Sequence, residues 1–511
     1  MPRDDLPRVP DPELLDLTAP GAREALERFV DAVTAEAFDW LFDRAMDRPI
    51  HPESYPDSRR RFFGPDGSPS GMPVRGVPAD QVLRTFRERV APMTFNAQHP
   101  GAFSYFTPPP LAMSVGGEVL SQWLQQGVDV WHAGPVGAFV EEEVTRWLCD
   151  LVGLPSTSWG VLTSGGVIAN LMALTVAREV HLRVLRGLDR PPRGADLDGV
   201  RVYASDQTHF SVARGLDILG FPEDTLQVVA SDDRFRLSAE PVAATIAADR
   251  AAGLTPLAIS AVAGSTNTGS VDDVPGLARL AASERCWFHV DAAYGGAARL
   301  SARDAERVPG LELADSVTVD PHKWFFQAYD IGALVVRRRQ DLLDTFHRAP
   351  EYYASNNPQD APQDAPLNYY EYSIEGTRRF RALKLWMSWQ HLGTEGLGGL
   401  VEHNDDLAAY LAASLRAAPD FDLACEPELS VVCFRHLPIT VTEVDLDDYE
   451  NALQRALEVD GAGWVSVTTL RGRTYLRAGI VNYLSTRAEV DAVIAALRRL
   501  SEGVLEQLDR R

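Results

Sequence analysis

Between about residue 100 and residue 345 the chain alternates short β-branched runs with helical patterns. The runs are WGVLTSG, VRVYASD, LQVVASD, LAISAVAGS, CWFHVDAAY, SVTVDPH and GALVVRR. Alternation of this kind predicts βα units and a mainly parallel α/β sheet. Several runs end in small or polar residues, and open α/β sheets bind ligands outside the carboxyl ends of their strands. Upstream, GAREALERFVDAVTAEAFDWLF spaces its apolar residues as a helix does, whereas SYPDSRRRFFGPDGSPSGMP shows no such spacing. An amphipathic stretch without its own core must bury its face elsewhere, so residues 1–95 read as a helical arm and dimerisation segment. Residues 347–372 carry a tandem PQDA with many Asn, Pro and Tyr and no periodicity. They read as a long loop whose tyrosines favour a lid. TRRFRALKLWMSWQHLG predicts a helix that closes a large domain over 96–392, and LSVVCFR and TYLRAGIV predict strands of a smaller α+β domain over 393–511.

Length fits this plan: 511 residues, at roughly 150 per domain, make about three domains or one large two-lobed enzyme. Charge narrows the partners. Lys plus Arg is 49 and Asp plus Glu is 72, a formal net charge of −23 that repels phosphodiester backbones and anionic membranes. Cys149, Cys286, Cys425 and Cys433 are far apart, and three sit in apolar runs, which suits reduced packing residues better than a disulfide frame or a metal site. MPRDDLPRVPDPELLDL has acids and prolines where a secretory signal needs an apolar stretch, and no run of about 18 apolar residues occurs. The expectation is a cytoplasmic protein with a small-molecule substrate, no nucleic acid, no membrane and no metal.

One compositional detail outweighs these. Lys323 and Lys384 are the two lysines of the chain, so nearly every site that merely needs positive charge carries Arg. Lysine forms a Schiff base and arginine cannot. Lys384 lies in the helical run RRFRALKLWMSW, where chance survival explains it equally well; Lys323 stands after a strand in SVTVDPHKWFF. A lysine among those aromatics loses water, which favours the neutral amine that imine formation needs.

Other strand ends carry complementary chemistry. Ser164, Gly165 and Gly166 lead from a strand into a helical pattern, where free N–H groups bind phosphate, although an ordinary helix cap has the same form. Asp291 and Ala293 fall on one face at the end of CWFHVDAAYGG. An acid there needs a cationic partner such as a protonated pyridine, and a small neighbour leaves room for a flat ring; an Asp capping a turn would look alike. His209, in VYASDQTHFSV, could stack on a ring, move protons or be structural. A phosphate cradle, an acid for a ring nitrogen, a stacking histidine and a Schiff-base lysine together describe pyridoxal phosphate.

In order, TSGGVIANL, SDQTHFSV, STNTGSVDD, HVDAAYGG, DPHKW and EGTRRFRALKLW resemble the group II decarboxylases of pyridoxal-phosphate fold type I, from about residue 90 to the end. That family includes the aromatic-L-amino-acid, histidine, glutamate and diaminobutyrate decarboxylases. The resemblance implies an aspartate-aminotransferase-like fold with a mainly parallel seven-stranded sheet, and decarboxylation through a lysine Schiff base and a quinonoid intermediate. It implies that Lys323 holds the cofactor, His209 stacks on its ring, Asp291 pairs with the pyridine nitrogen and Ala293 packs beneath. Ser164, Gly165, Gly166, Thr266, Asp320 and His322 would surround the cofactor, with Asp320 standing where the aromatic branch usually has Asn. PEYY matches the family's loop tyrosine, making Tyr352 the expected proton donor and Tyr353 its competitor, on a loop that closes over the other subunit of a homodimer.

The substrate is less sharply written. Phe103, Tyr105 and Phe106 fall where the aromatic branch builds its side-chain pocket, and Trp131 lies nearby, so an aromatic L-amino acid is expected. Asp129 in DVW resembles the bacterial branch that includes diaminobutyrate enzymes, which admits a cationic or acidic substrate. An aldehyde synthase is a rival, although that offshoot is expected to lose the loop tyrosine or the stacking histidine. An aminotransferase with Arg477 as carboxylate clamp is a further rival.

Overall fold

The computed structural model describes residues 10–44, 46–348, 366–438 and 445–510. The chain divides into two compact units, Ser104–Leu437 with Thr468–Tyr483, and Met1–Phe103 with Pro438–Val467 and Leu484–Arg511.

All seven predicted β runs form one sheet in the first unit. They are β1 (Trp159–Thr163), β2 (Val200–Ser205), β3 (Leu226–Val229), β4 (Thr255–Val262), β5 (Trp287–Asp291), β6 (Ser316–Val319) and β7 (Gly332–Val336). Their order across the sheet is β1-β7-β6-β5-β4-β2-β3. The β2–β3, β2–β4, β4–β5 and β5–β6 pairs are parallel, while β7 runs antiparallel to both β1 and β6. Two reversals restore direction, so β1 points the same way as β6. The ends of β1, β2, β4, β5 and β6 therefore open on a single edge, which is what brings distant motifs together.

Continuous burial of β5, β6 and β7 explains why they read as unbroken apolar runs. Both faces of a mainly parallel sheet are covered. Along β7, Ala333 and Val335 enter one core cluster and Leu334 and Val336 the other, as the two-residue period of a strand requires. A second sheet has the order β10-β11-β9-β8, built from β8 (Phe421–Leu423), β9 (Val431–His436), β10 (Ser466–Leu470) and β11 (Arg473–Gly479).

In the other unit, helices Leu446–Asp460 and Arg487–Asp509 pack together, with Tyr449 Oη donating to Ser501 Oγ at 2.8 Å. The segment that lacks helical spacing in sequence nevertheless holds a helix, Tyr55–Phe63. Its signal is capping: Ser54 accepts from the Asp57 amide and Pro56 sits in the first turn, where a missing N–H costs nothing.

Candidate active site

At the common strand edge lies a cavity of about 350 Å³, within the range of small-molecule sites. Ser164, Gly165, Gly166, His209, Thr266, Asp291, Ala293, Asp320, His322 and Lys323 all border it, so the ten residues expected around the cofactor converge from five strand ends. Asn170, Phe210 and Tyr294 line it as well. Sequence reasoning missed these three, although Asn170 sits one helical turn beyond Gly166.

Each position has a local cause. Gly165 caps the helix Gly166–Val176 with φ 155°, a backbone state that side chains resist. A Cβ on Gly166 would stand 2.9 Å from Asp320 Oδ2 and 3.4 Å from Ala293 Cβ, so the turn has no room for a side chain there, and the Gly165 amide donates to Thr163 Oγ1 at 3.2 Å. A Cβ on Gly332, at the start of β7, would meet Gly165 Cα at 2.5 Å. Lys323 Nζ lies 3.2 Å from Asp320 Oδ2 and 6.0 Å from the centre of the Phe106 ring. Phe326, just beyond, is buried at φ 60°, a strained state for an aromatic residue.

The electrostatics favour neutral imidazoles. Burial pushes His209 below its usual value against the opposing pull of Asp291, and does the same to His322 against Asp320. Asp291 is buried, accepts from the Ala293 amide at 3.1 Å and receives Asn170 Nδ2 at 2.7 Å. Asp320 Oδ1 is buried with no hydrogen-bond partner among the described residues.

The other expected residues are placed differently. Phe106 is buried, stacked on Tyr294 at 4.1 Å, and carries the Arg477 guanidinium 4.7 Å above its ring. Arg477 Nε donates to the carbonyls of Thr266 and Asn267. Tyr105 is exposed, while Asp129 and Trp131 are half-buried, and none of the three borders the cavity. Phe103 belongs to the other unit and is buried. Tyr352 and Tyr353 lie outside the described residues. Lys384 does not face the cavity: its Nζ meets Glu118 Oε2 at 2.8 Å, and burial lowers its pKa to about 7.

A pyridoxal phosphate fits what is present. The cavity offers an amine, a buried carboxylate, a glycine turn at a helix start and a small residue, Ala293, beside a flat space. Fold and cavity define a pyridoxal-phosphate enzyme of fold type I. Comparison with known proteins carries this further: residues 65–437 match the model of the pyridoxal-dependent decarboxylase conserved domain. The aromatic-L-amino-acid decarboxylase of Bacillus atrophaeus is 32% identical over 434 residues, 85% of this chain and 88% of the relative. The L-2,4-diaminobutyrate decarboxylase of Rhizobium meliloti (strain 1021) is 34% identical over 400 residues, 78% of this chain and 77% of the relative. Among solved structures, Oryza sativa TDC with PLP and tryptamine superposes with a TM-score of 0.86 at 26% identity, covering 96% of this chain and 99% of that one. The chain belongs to the pyridoxal-dependent decarboxylase family, and it is an amino acid decarboxylase that uses pyridoxal phosphate.

Proposed function

We propose that the substrate is an aromatic L-amino acid and that the enzyme works as a cytoplasmic homodimer with its active sites at the subunit interface. The observation that carries the chemistry is the convergence of Lys323 and Asp291 on one cavity in a chain with two lysines. Bound there, pyridoxal phosphate supplies an electron sink for the pair released when carbon dioxide leaves. Lys323 would hold the cofactor, and the amides at the start of the helix Gly166–Val176 would receive its phosphate. Asp291 would accept from the ring nitrogen and favour its protonated form. Neutral His209 would cover the ring without adding charge, and Ala293 would leave space for it. Tyr352 returns a proton to the substrate carbon that lost carbon dioxide.

Aromatic preference is supported by Phe106, a buried ring stacked on Tyr294 behind the cavity wall with its centre 6.0 Å from Lys323 Nζ, and by likeness to the Bacillus enzyme. A diamino acid is the second reading, supported by the Rhizobium relative. A dimer is supported by the helix Ala112–Leu124, whose Val115, Val119, Leu120, Trp123 and Leu124 form one exposed apolar face. For the compartment, all four cysteines are free and no helix among the described residues is long and apolar enough to cross a membrane.

The test is the mass of the product after aerobic incubation with pyridoxal phosphate and a panel of aromatic, acidic and diamino acids. An aromatic amine is expected; a diamine from 2,4-diaminobutyrate would transfer the assignment to the second reading. Light scattering should give twice the chain mass, and Trp123→Glu should halve it.

A further inference from the structure

We propose that Asn170 is a positioning residue that sets the orientation of Asp291 and the tautomer of His209 together, through one directional chain of buried hydrogen bonds. The proposal rests on the reading of this cavity as the pyridoxal phosphate site.

The direction follows from what each group can donate. The Asp291 carboxylate only accepts, so the Asn170 atom 2.7 Å from its Oδ2 is the amide nitrogen. That leaves Asn170 Oδ1 as an acceptor, and it takes Thr318 Oγ1 at 2.6 Å and His289 Nε2 at 3.0 Å. His289 Nε2 therefore carries a hydrogen. Burial holds this imidazole neutral, so its Nδ1 accepts, and the donor is Ser316 Oγ at 2.9 Å. Ser316 Oγ in turn accepts from the indole Nε1 of Trp287 at 2.9 Å, a group that can only donate. The chain is thus fixed at one end by an indole and at the other by a carboxylate.

A branch leaves from the same amide. Asn170 Nδ2 also donates to Ser211 Oγ at 2.8 Å, which frees the Ser211 hydrogen for His209 Nδ1 at 2.8 Å. The Ser211 backbone N–H points at the same nitrogen. His209 Nδ1 is an acceptor, and the ring keeps its hydrogen on Nε2. Every side chain in this network except His209 is buried, and a buried network with a single self-consistent direction resists rearrangement. Asn170 is also the one member that touches both branches.

Apoenzyme titrated with pyridoxal phosphate, followed by fluorescence, gives the test, together with the pH profile of the loaded enzyme. Asn170→Ala and Asn170→Asp are expected to weaken cofactor binding roughly ten- to a hundredfold, because Asp291 loses its donor or gains a facing acid. Ser211→Ala is expected to keep cofactor affinity within about threefold and to move the acid limb of the pH profile upward, since losing a donor to Nδ1 disfavours the neutral ring. The charges facing His209, namely Asp291, Asp320, Lys323 and Arg214, are the same in parent and variant. Unchanged cofactor affinity in both Asn170 variants, with only a lower melting temperature, would overturn the proposal. If neither Asn170 variant folds, an unmoved acid limb in Ser211→Ala would overturn it alone. Failure of the parent apoenzyme to bind pyridoxal phosphate would instead refute the reading of the cavity.

Discussion

Lys323 Nζ stands 3.2 Å from Asp320 Oδ2, across a single turn that follows β6. Lys384, the other lysine, spends its amine on Glu118 in the helix Ala112–Leu124. The two should respond oppositely to removal. Lys323→Ala should abolish the visible cofactor band and lower turnover by roughly a thousandfold or more, with the melting temperature near that of the parent. Lys384→Met should keep the band, and any cost should appear in thermal stability, because half-buried Glu118 loses one of its two cationic partners and keeps Arg379. Absorbance spectra and melts of both variants decide this.

Gly332→Ala tests the cradle. The added methyl would stand 2.5 Å from Gly165 Cα and 2.6 Å from Asp320 Oδ1, against backbone that cannot swing aside. A destabilisation of about 1–3 kcal/mol or more is expected, with weakened pyridoxal phosphate binding. Gly376→Ala, where an added Cβ meets nothing within 4 Å, is the control for loss of glycine itself.

Asp405 gives a pH signature. Burial, reinforced by neighbouring Asp304 and opposed by Arg307, raises its pKa from 3.8 to about 8. The folded state thus holds a proton that the unfolded state releases above about pH 4, so stability from this group is lost as pH rises from about 4 to about 8. Asp405→Asn should melt higher than the parent, by roughly 1–3 kcal/mol at pH 8, with the difference shrinking toward pH 5. A difference that grows on acidification would show that Asp405 is ionised in the fold.

Tyr352→Phe tests the proposed return of a proton to the substrate carbon. If Tyr352 is that donor, its loss leaves the substrate carbon exposed to oxygen, and the balance becomes amino acid plus oxygen plus water giving aldehyde, carbon dioxide, ammonia and hydrogen peroxide. Product should shift from amine toward aldehyde, and peroxide should track aldehyde one to one. Retained amine as the sole product would pass the role to Tyr353.

The sheet was legible because both faces of its central strands are buried, which prints β5, β6 and β7 as apolar runs regardless of neighbours, and the half-exposed edge strand β3 still carries β-branched residues. The site was legible for a related reason: function leaves rare residues at strand ends, and Lys323 stands out among arginines. Asn170 was invisible because a polar residue inside the helical pattern VIANLMAL shows its role only when β5 and β6 lie beside it. The helix at Tyr55–Phe63 was hidden by arginines on its exposed surface, and its capping serine was the one local clue. Tyr105, Asp129 and Trp131 show the converse, since proximity in sequence to a pocket motif did not bring them to the cavity wall.

With two lysines in the chain, the central claim reduces to a single mapped mass. Holoenzyme reduced with borohydride, digested and analysed by mass spectrometry should carry the pyridoxyl group on the peptide containing Lys323 and leave the Lys384 peptide unmodified. A label on Lys384, or none on either lysine, would contradict the assignment of Lys323 as the residue that holds the cofactor.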